Sequence, residues 1–137
     1  MQPFEIIDHT ADVGIAAYGA TIEELFANAA RGMLSIVGEL ATVEPREARR
    51  VRAEAPEREG LLAAFLAELL YLLEVERFVT RDADVERVTD TEVCATVHGE
   101  PIAPHHELHT EIKAVTHHDL RIEKHGEGWR ATVLFDI

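Results

Sequence analysis

Two short acidic clusters and one run of histidines are the places where this sequence could do chemistry. Asp8-His9-Thr10-Ala11-Asp12 puts two carboxylates and an imidazole within five residues, a set able to ligate a metal ion. The same residues also suit an Asx-type turn with solvated side chains. Asp136 is followed by Ile137, where the sequence stops, so a side-chain carboxylate and an α-carboxylate are expected one residue apart. Such a cluster of hard oxygens suits Mg²⁺ or Ca²⁺. A frayed acidic terminus is the plainer alternative. His105, His106, His109, His117 and His118 fall within fourteen residues. The adjacent pairs would point to opposite faces of an extended chain, and no zinc-signature spacing is present. They are expected to be surface or hydrogen-bonding histidines without bound zinc. The single cysteine, Cys94, alternates with Val93, Ala95 and Val97 and reads as a structural strand residue.

The elements that must position these residues follow from periodicity. Phe4 to Asp8 and Val13 to Tyr18 read as strands joined through the first acidic cluster. Thr21-Ile22-Glu23-Glu24 has the form of a capping box, and the helix it opens carries Leu25, Phe26, Ala29, Ala30, Met33 and Leu34 at helical spacing, with Gly38 as its stop. A weakly alternating strand is expected over Arg49 to Ala55. A second helix is expected from about Glu57 to Arg77, with leucines over most of its surface and hence deep burial. Period-two alternation then predicts strands at Val85 to Thr89, Glu92 to His98, Leu108 to Val115, Leu120 to Glu123 and Trp129 to Phe135. Gly126-Glu127-Gly128 forms a hairpin turn between the last two. In the last strand Trp129, Ala131, Val133 and Phe135 share one face, which leaves Asp136 on the other. The expected fold is α+β, a single domain over residues 1–137, with two main helices on a largely antiparallel or mixed sheet of about seven strands.

Composition narrows the function classes. With 137 residues and 47% hydrophobic content the chain can bury one core. The net charge of −13 argues against strong direct nucleic-acid binding, which needs clustered Lys and Arg. The one basic cluster, Arg46, Arg49, Arg50 and Arg52, is interrupted by Glu47 and reads as a solvated loop and strand edge. An acidic surface is better suited to metal ions or to a basic protein partner. No stretch has the length of a membrane span or the form of a signal peptide, so a cytoplasmic protein is expected. A phosphate-binding glycine loop, a nucleophile elbow and a Cys-x-x-Cys pair are all absent.

Two blocks of residues carry a family resemblance. Asp8-His9-Thr10-Ala11-Asp12-Val13-Gly14-Ile15, with Tyr18-Gly19, Glu24-Leu25-Phe26 and Ala29-Ala30 before Met33, resembles the N-terminal signature of the archease family. Glu111-Ile112-Lys113-Ala114-Val115-Thr116, then His118-Asp119-Leu120, Trp129 and Asp136-Ile137, resembles its C-terminal signature in order and spacing. The resemblance spans the chain. It implies a non-enzymatic cofactor of an RtcB-type RNA ligase, which joins RNA ends in tRNA splicing and RNA repair using GTP and a divalent metal. Archeases promote guanylylation of that ligase and its multiple turnover. The resemblance also implies a metal site of Asp12 and Asp136 with a main-chain oxygen of Ile137. Ca²⁺ is the first expectation there, with Mg²⁺ or Mn²⁺ next. His9, Lys113 and His118 match other motif positions. One position departs: His117 stands where the family usually has Tyr. Two other readings compete, a metal-dependent hydrolase using His9, His118 and Asp119, and a general chaperone whose acidic face binds basic clients.

Overall fold

The computed structural model describes residues 2–8 and 12–137. His9, Thr10 and Ala11 therefore lie outside the described residues. Strands β1 (Phe4–Asp8) and β2 (Asp12–Gly19) pair antiparallel, and β2 is followed by helix α1 (Ile22–Val37). Thr21 caps that helix: the Glu24 amide donates to its hydroxyl at 3.1 Å, which satisfies one of the orphan amides of the first turn. Leu25, Phe26, Ala29, Ala30 and Met33 are fully buried on one side of α1, as their spacing predicts. Strand β3 (Glu47–Glu54) leads to helix α2 (Arg58–Glu74), and then come β4 (Phe78–Val88) and β5 (Glu92–Pro101). The chain finishes with β6 (Ala114–Val115), β7 (Arg121–His125) and β8 (Gly128–Asp136).

The strands form two antiparallel sheets rather than one. β1, β2, β8 and β6 lie in that order, with β7 also paired to β8, and β3, β5 and β4 make a separate three-stranded sheet. Alternation along a strand shows which face is buried but not which strand lies beside it, so the division was not expected from the pattern. α1 packs against both β2 and β4, and so bridges the sheets. α2 lies on β3 and β4. Phe26 of α1 meets Phe65 of α2 with ring centroids 6.0 Å apart. The core gathers Ile15, Ala131, Val133 and Phe135 from one sheet and Val93, Ala95 and Val97 from the other.

Two expected strands differ from those observed. β4 begins at Phe78, ahead of the expected Val85, because irregularities between Thr80 and Asp82 and between Val85 and Arg87 break the alternation. The expected strand from Leu108 to Val115 is reduced to Ala114 and Val115. The rest of that segment serves the end of α1. The amides of His109 and Thr110 both donate to the Val37 carbonyl, at 2.7 and 3.4 Å, and the Glu39 amide donates to the Glu107 carbonyl at 2.8 Å. These bonds occupy carbonyl and amide groups that a helix end leaves unmet.

β2 and β8 approach closely where Gly14 faces Leu134. A Cβ built on Gly14 would stand 2.5 Å from Leu134 Cδ2 and 2.7 Å from the Val133 carbonyl oxygen. Neither neighbour is free to withdraw, because Leu134 is buried and Val133 is held in the ladder. Gly14→Ala is therefore expected to destabilise the fold by about 1–3 kcal/mol. The result to look for is a lower urea midpoint at unchanged slope.

Candidate functional site

Antiparallel pairing sets the start of one strand beside the end of the other. Asp12 opens β2, Asp136 closes β8, and the two are direct partners in the register, next to Val13 and Phe135. Directly opposed residues of an antiparallel pair project from the same face, with Cβ atoms about 4.5–5.5 Å apart. Phe135 is fully buried toward the helices, so Asp12 and Asp136 project from the opposite face. Two like charges so placed repel each other, and a cation between them would relieve the repulsion. The donors available are two carboxylates and the main-chain oxygen of Ile137, whose residue is exposed. Hard oxygens of this kind suit Ca²⁺, Mg²⁺ or Mn²⁺ rather than zinc.

On the other side of Asp136 runs β6. Ala114 is its register partner there, and the Lys113 amide donates to the Asp136 carbonyl at 2.7 Å. Lys113 is exposed and makes no ion pair among the described residues, so its ammonium is available at the same end of the sheet. His118 and Asp119 sit in the turn between β6 and β7, with His118 Nε2 3.5 Å from an Asp119 oxygen and both side chains exposed. The Asp119 backbone has φ 55°, a left-handed conformation that aspartate tolerates in turns.

A second cluster was not foreseen as a unit. Glu100 is only 2% exposed although it is the penultimate residue of β5. Its carboxylate accepts the Glu44 amide at 2.8 Å, faces His106 Nε2 at 2.8 Å and Arg46 Nε at 3.1 Å, and has His105 Nε2 at 3.6 Å. The Glu44 amide, then the His106 hydrogen bond and Arg46, hold its pKa down from 4.5 to about 2 against the opposing effect of burial. The ligand atoms of Glu100, His105 and His106 lie within 4.8 Å of one another, so the group could hold a metal ion. Its hydrogen bonding favours another role. The Ala103 amide donates to His106 Nδ1 at 2.9 Å, which puts the ring proton on Nε2, pointing at Glu100. A metal at Nε2 would drive that proton onto Nδ1, against a backbone N–H. The adjacent histidines reach one carboxylate because residues 102–106 turn rather than extend. The histidine pair is legible in the sequence but Glu100 is not, since it breaks the alternation by being buried directly after the buried Gly99.

The basic cluster of β3 is matched within its own sheet. Arg50 pairs with Glu86 at 2.6 Å, Arg49 with Glu47 at 3.2 Å, and Arg52 with Glu54 and Glu92. Cys94 lies half-buried on this outer face, beside Glu92 and Arg87.

Comparison with known proteins adds the family. Residues 4–137 match the model of the archease protein family. The protein archease of Methanosarcina acetivorans is 40% identical over 141 residues, covering 99% of this chain and 97% of that one. That of Thermococcus kodakarensis is 40% identical over 143 residues and covers both chains fully. The solution structure of Methanobacterium thermoautotrophicum protein 1598 superposes with a TM-score of 0.82 at 34% identity over 100% of each chain. An archease from Thermotoga maritima, described as a possible chaperone, shares the fold at a TM-score of 0.68 and 24% identity, over 96% of this chain and 94% of its own. The α+β architecture with two helices on antiparallel sheets is thus that of solved relatives, and this chain belongs to the archease family. No helix among the described residues is long and apolar enough to cross a membrane.

The Glu100 cluster has a pH signature. Its folded pKa lies below the unfolded value, so it contributes stability that is complete above the unfolded pKa and is lost as pH falls toward about 2. Unfolding midpoints of the parent and Glu100→Gln, measured from pH 7 down to pH 2, should therefore converge in acid. A gap that stays constant across the range would contradict this assignment.

Proposed function

We propose that this chain is a metal-binding accessory protein that activates an RtcB-type RNA ligase in tRNA splicing or RNA repair, and is not itself an enzyme. The observation that carries the reading is the direct register pairing of Asp12 with Asp136. It joins the two acidic clusters that were separate in the sequence, and these are the positions the family resemblance implies as metal ligands. Asp12, Asp136 and a main-chain oxygen of Ile137 would hold a divalent cation, Ca²⁺ first and Mg²⁺ or Mn²⁺ next. When bound, such a cation supplies positive charge toward phosphate oxygens at the ligase's nucleotide site. The chain's own residues do the positioning. The β2–β8 ladder fixes the spacing of the carboxylates, and the amide of Lys113 ties β6 to the Asp136 carbonyl. His9, Lys113 and His118 match further motif positions. The acidic surface, at net charge −13, favours association with a basic protein over direct association with RNA.

The decisive experiment is guanylylation of a cognate ligase with and without this protein. Asp136→Ala and Asp12→Ala should each lower Ca²⁺ affinity by more than about tenfold and abolish activation, since a cation held by few protein oxygens cannot spare one. Circular dichroism should show both variants folded, because neither side chain lies on the core face. Activation by Asp136→Ala equal to that of the parent would end the metal-presentation mechanism. Turnover of RNA ends or phosphoesters by the purified chain alone would favour the hydrolase reading.

A further inference from the structure

α2 is apolar nearly all round, yet one strip of it is left uncovered. Gly60, Ala64, Ala67, Tyr71 and Val75 follow one another at three- and four-residue steps and so lie on one face. Tyr71 is 51% exposed and Val75, just past the last turn, 60%. Opposite this strip stands the β6 segment. Two clefts lie between them, one of about 420 Å³ beside Gly60, Ala64 and His117, the other of about 320 Å³ beside Tyr71, Val75 and Lys113. Ala67 and Val115 line both, which makes them one groove. Its β6 wall is the strand whose Ala114 pairs with Asp136, so that wall is one strand away from the candidate metal centre.

Charge along the groove is one-sided. Glu57 and Glu74 line it, Glu68 stands exposed between them on α2, and none of the three makes an ion pair among the described residues. The carboxylates of the β3–β5–β4 sheet behave differently: Glu47, Glu86 and Glu92 are each matched by an arginine of the same sheet. The acids beside the groove thus keep their charge for a cation from outside. The opposite wall carries Lys113 and His117 instead.

We infer that this groove seats an amphipathic helix of the partner protein, its apolar face over Ala67 and Tyr71 and its Lys or Arg flank toward Glu57, Glu68 and Glu74. The small side chains of α2 let a second helix come close, and Tyr71 supplies the large amphipathic anchor that such contacts use. The inference rests on the accessory-protein reading above, with the ligase as the partner. It adds a contact separate from the metal ligands, so that affinity for the ligase and delivery of the cation reside on neighbouring surfaces.

The test uses the full chain and the intact ligase. Ala67→Arg fills the groove with bulk of the wrong sign, Tyr71→Ala removes the anchor, and the double variant Glu68→Lys, Glu74→Lys reverses the rim. All four side chains are exposed, so folding and Ca²⁺ titration should match the parent. Ligase binding, read by biolayer interferometry, should weaken about tenfold or more for Ala67→Arg and Tyr71→Ala. The double variant should lose affinity at low salt and much of the salt dependence. If the parent binds and activates the ligase and these variants do so equally well, the docking groove is overturned while the accessory role stands. If the parent neither binds nor activates, the accessory role itself fails. If light scattering shows the chain to be a dimer that Ala67→Arg dissociates, a second copy covers the groove and the inference is wrong.

Discussion

The register of β2 against β8 is the constraint on which the rest of the molecule depends. With Val13 opposite Phe135, the residues Ile15, Ala17, Ala131 and Val133 all face the helices and are fully buried. A slip of one residue would move that set to the other face of the sheet, so the core disfavours the neighbouring alignments. The same alignment sets Asp12 opposite Asp136. The core therefore fixes the spacing of the two carboxylates, and no local turn or flexible side chain has to do so. β8 is also the strand on which β6 and β7 assemble, which brings Lys113 and the turn bearing His118 and Asp119 to the same edge.

The second sheet is attached by polar ties as well as by packing. Glu100 gathers the backbone of Glu44, the guanidinium of Arg46 and the ring of His106 onto one buried carboxylate. It thereby joins the segment before β3 to the end of β5 and to the turn that follows. From that turn the chain runs to the end of α1, where His109 and Thr110 meet the Val37 carbonyl, and then on to β6. A chain of backbone contacts thus links the Glu100 cluster to the strand beside the acidic pair.

The parts of the fold that periodicity could reveal were those where one face meets the core in a regular repeat. α1 with its Thr21 cap and β5 show that repeat in their residues, while α2, β2 and β8 were legible as apolar runs buried on more than one face. β4 does not, because its bulges shift the alternation partway along. Leu108 to Ile112 does show it, yet the segment is not a strand, since its amides are taken by the end of α1. The two acidic clusters were each visible as residues able to hold a cation. Their meeting across the sheet could not be read from alternation, which carries no information about partners; it was implied by the family resemblance, and the register pairs the two residues directly. Glu100 was silent for a related reason. A buried carboxylate is legible only through its partners, and those come from three separate stretches of chain.

The pairing of β2 with β8 also has a kinetic side. Tyr18 and Arg130 are joined across 112 residues of sequence, whereas β1 meets β2, and β7 meets β8, through short connections. The two hairpins close short loops, whereas joining their facing edges must close a loop that holds α1, α2 and the second sheet. Closing so long a loop carries an entropic cost before any contact rewards it. Until that loop closes, the Ile15 edge of β2 lacks its partner and is a template for pairing with other chains. Among the strand pairings this alignment closes the longest loop, and any chain in which it is open exposes an unpaired edge at the strand that carries Asp12.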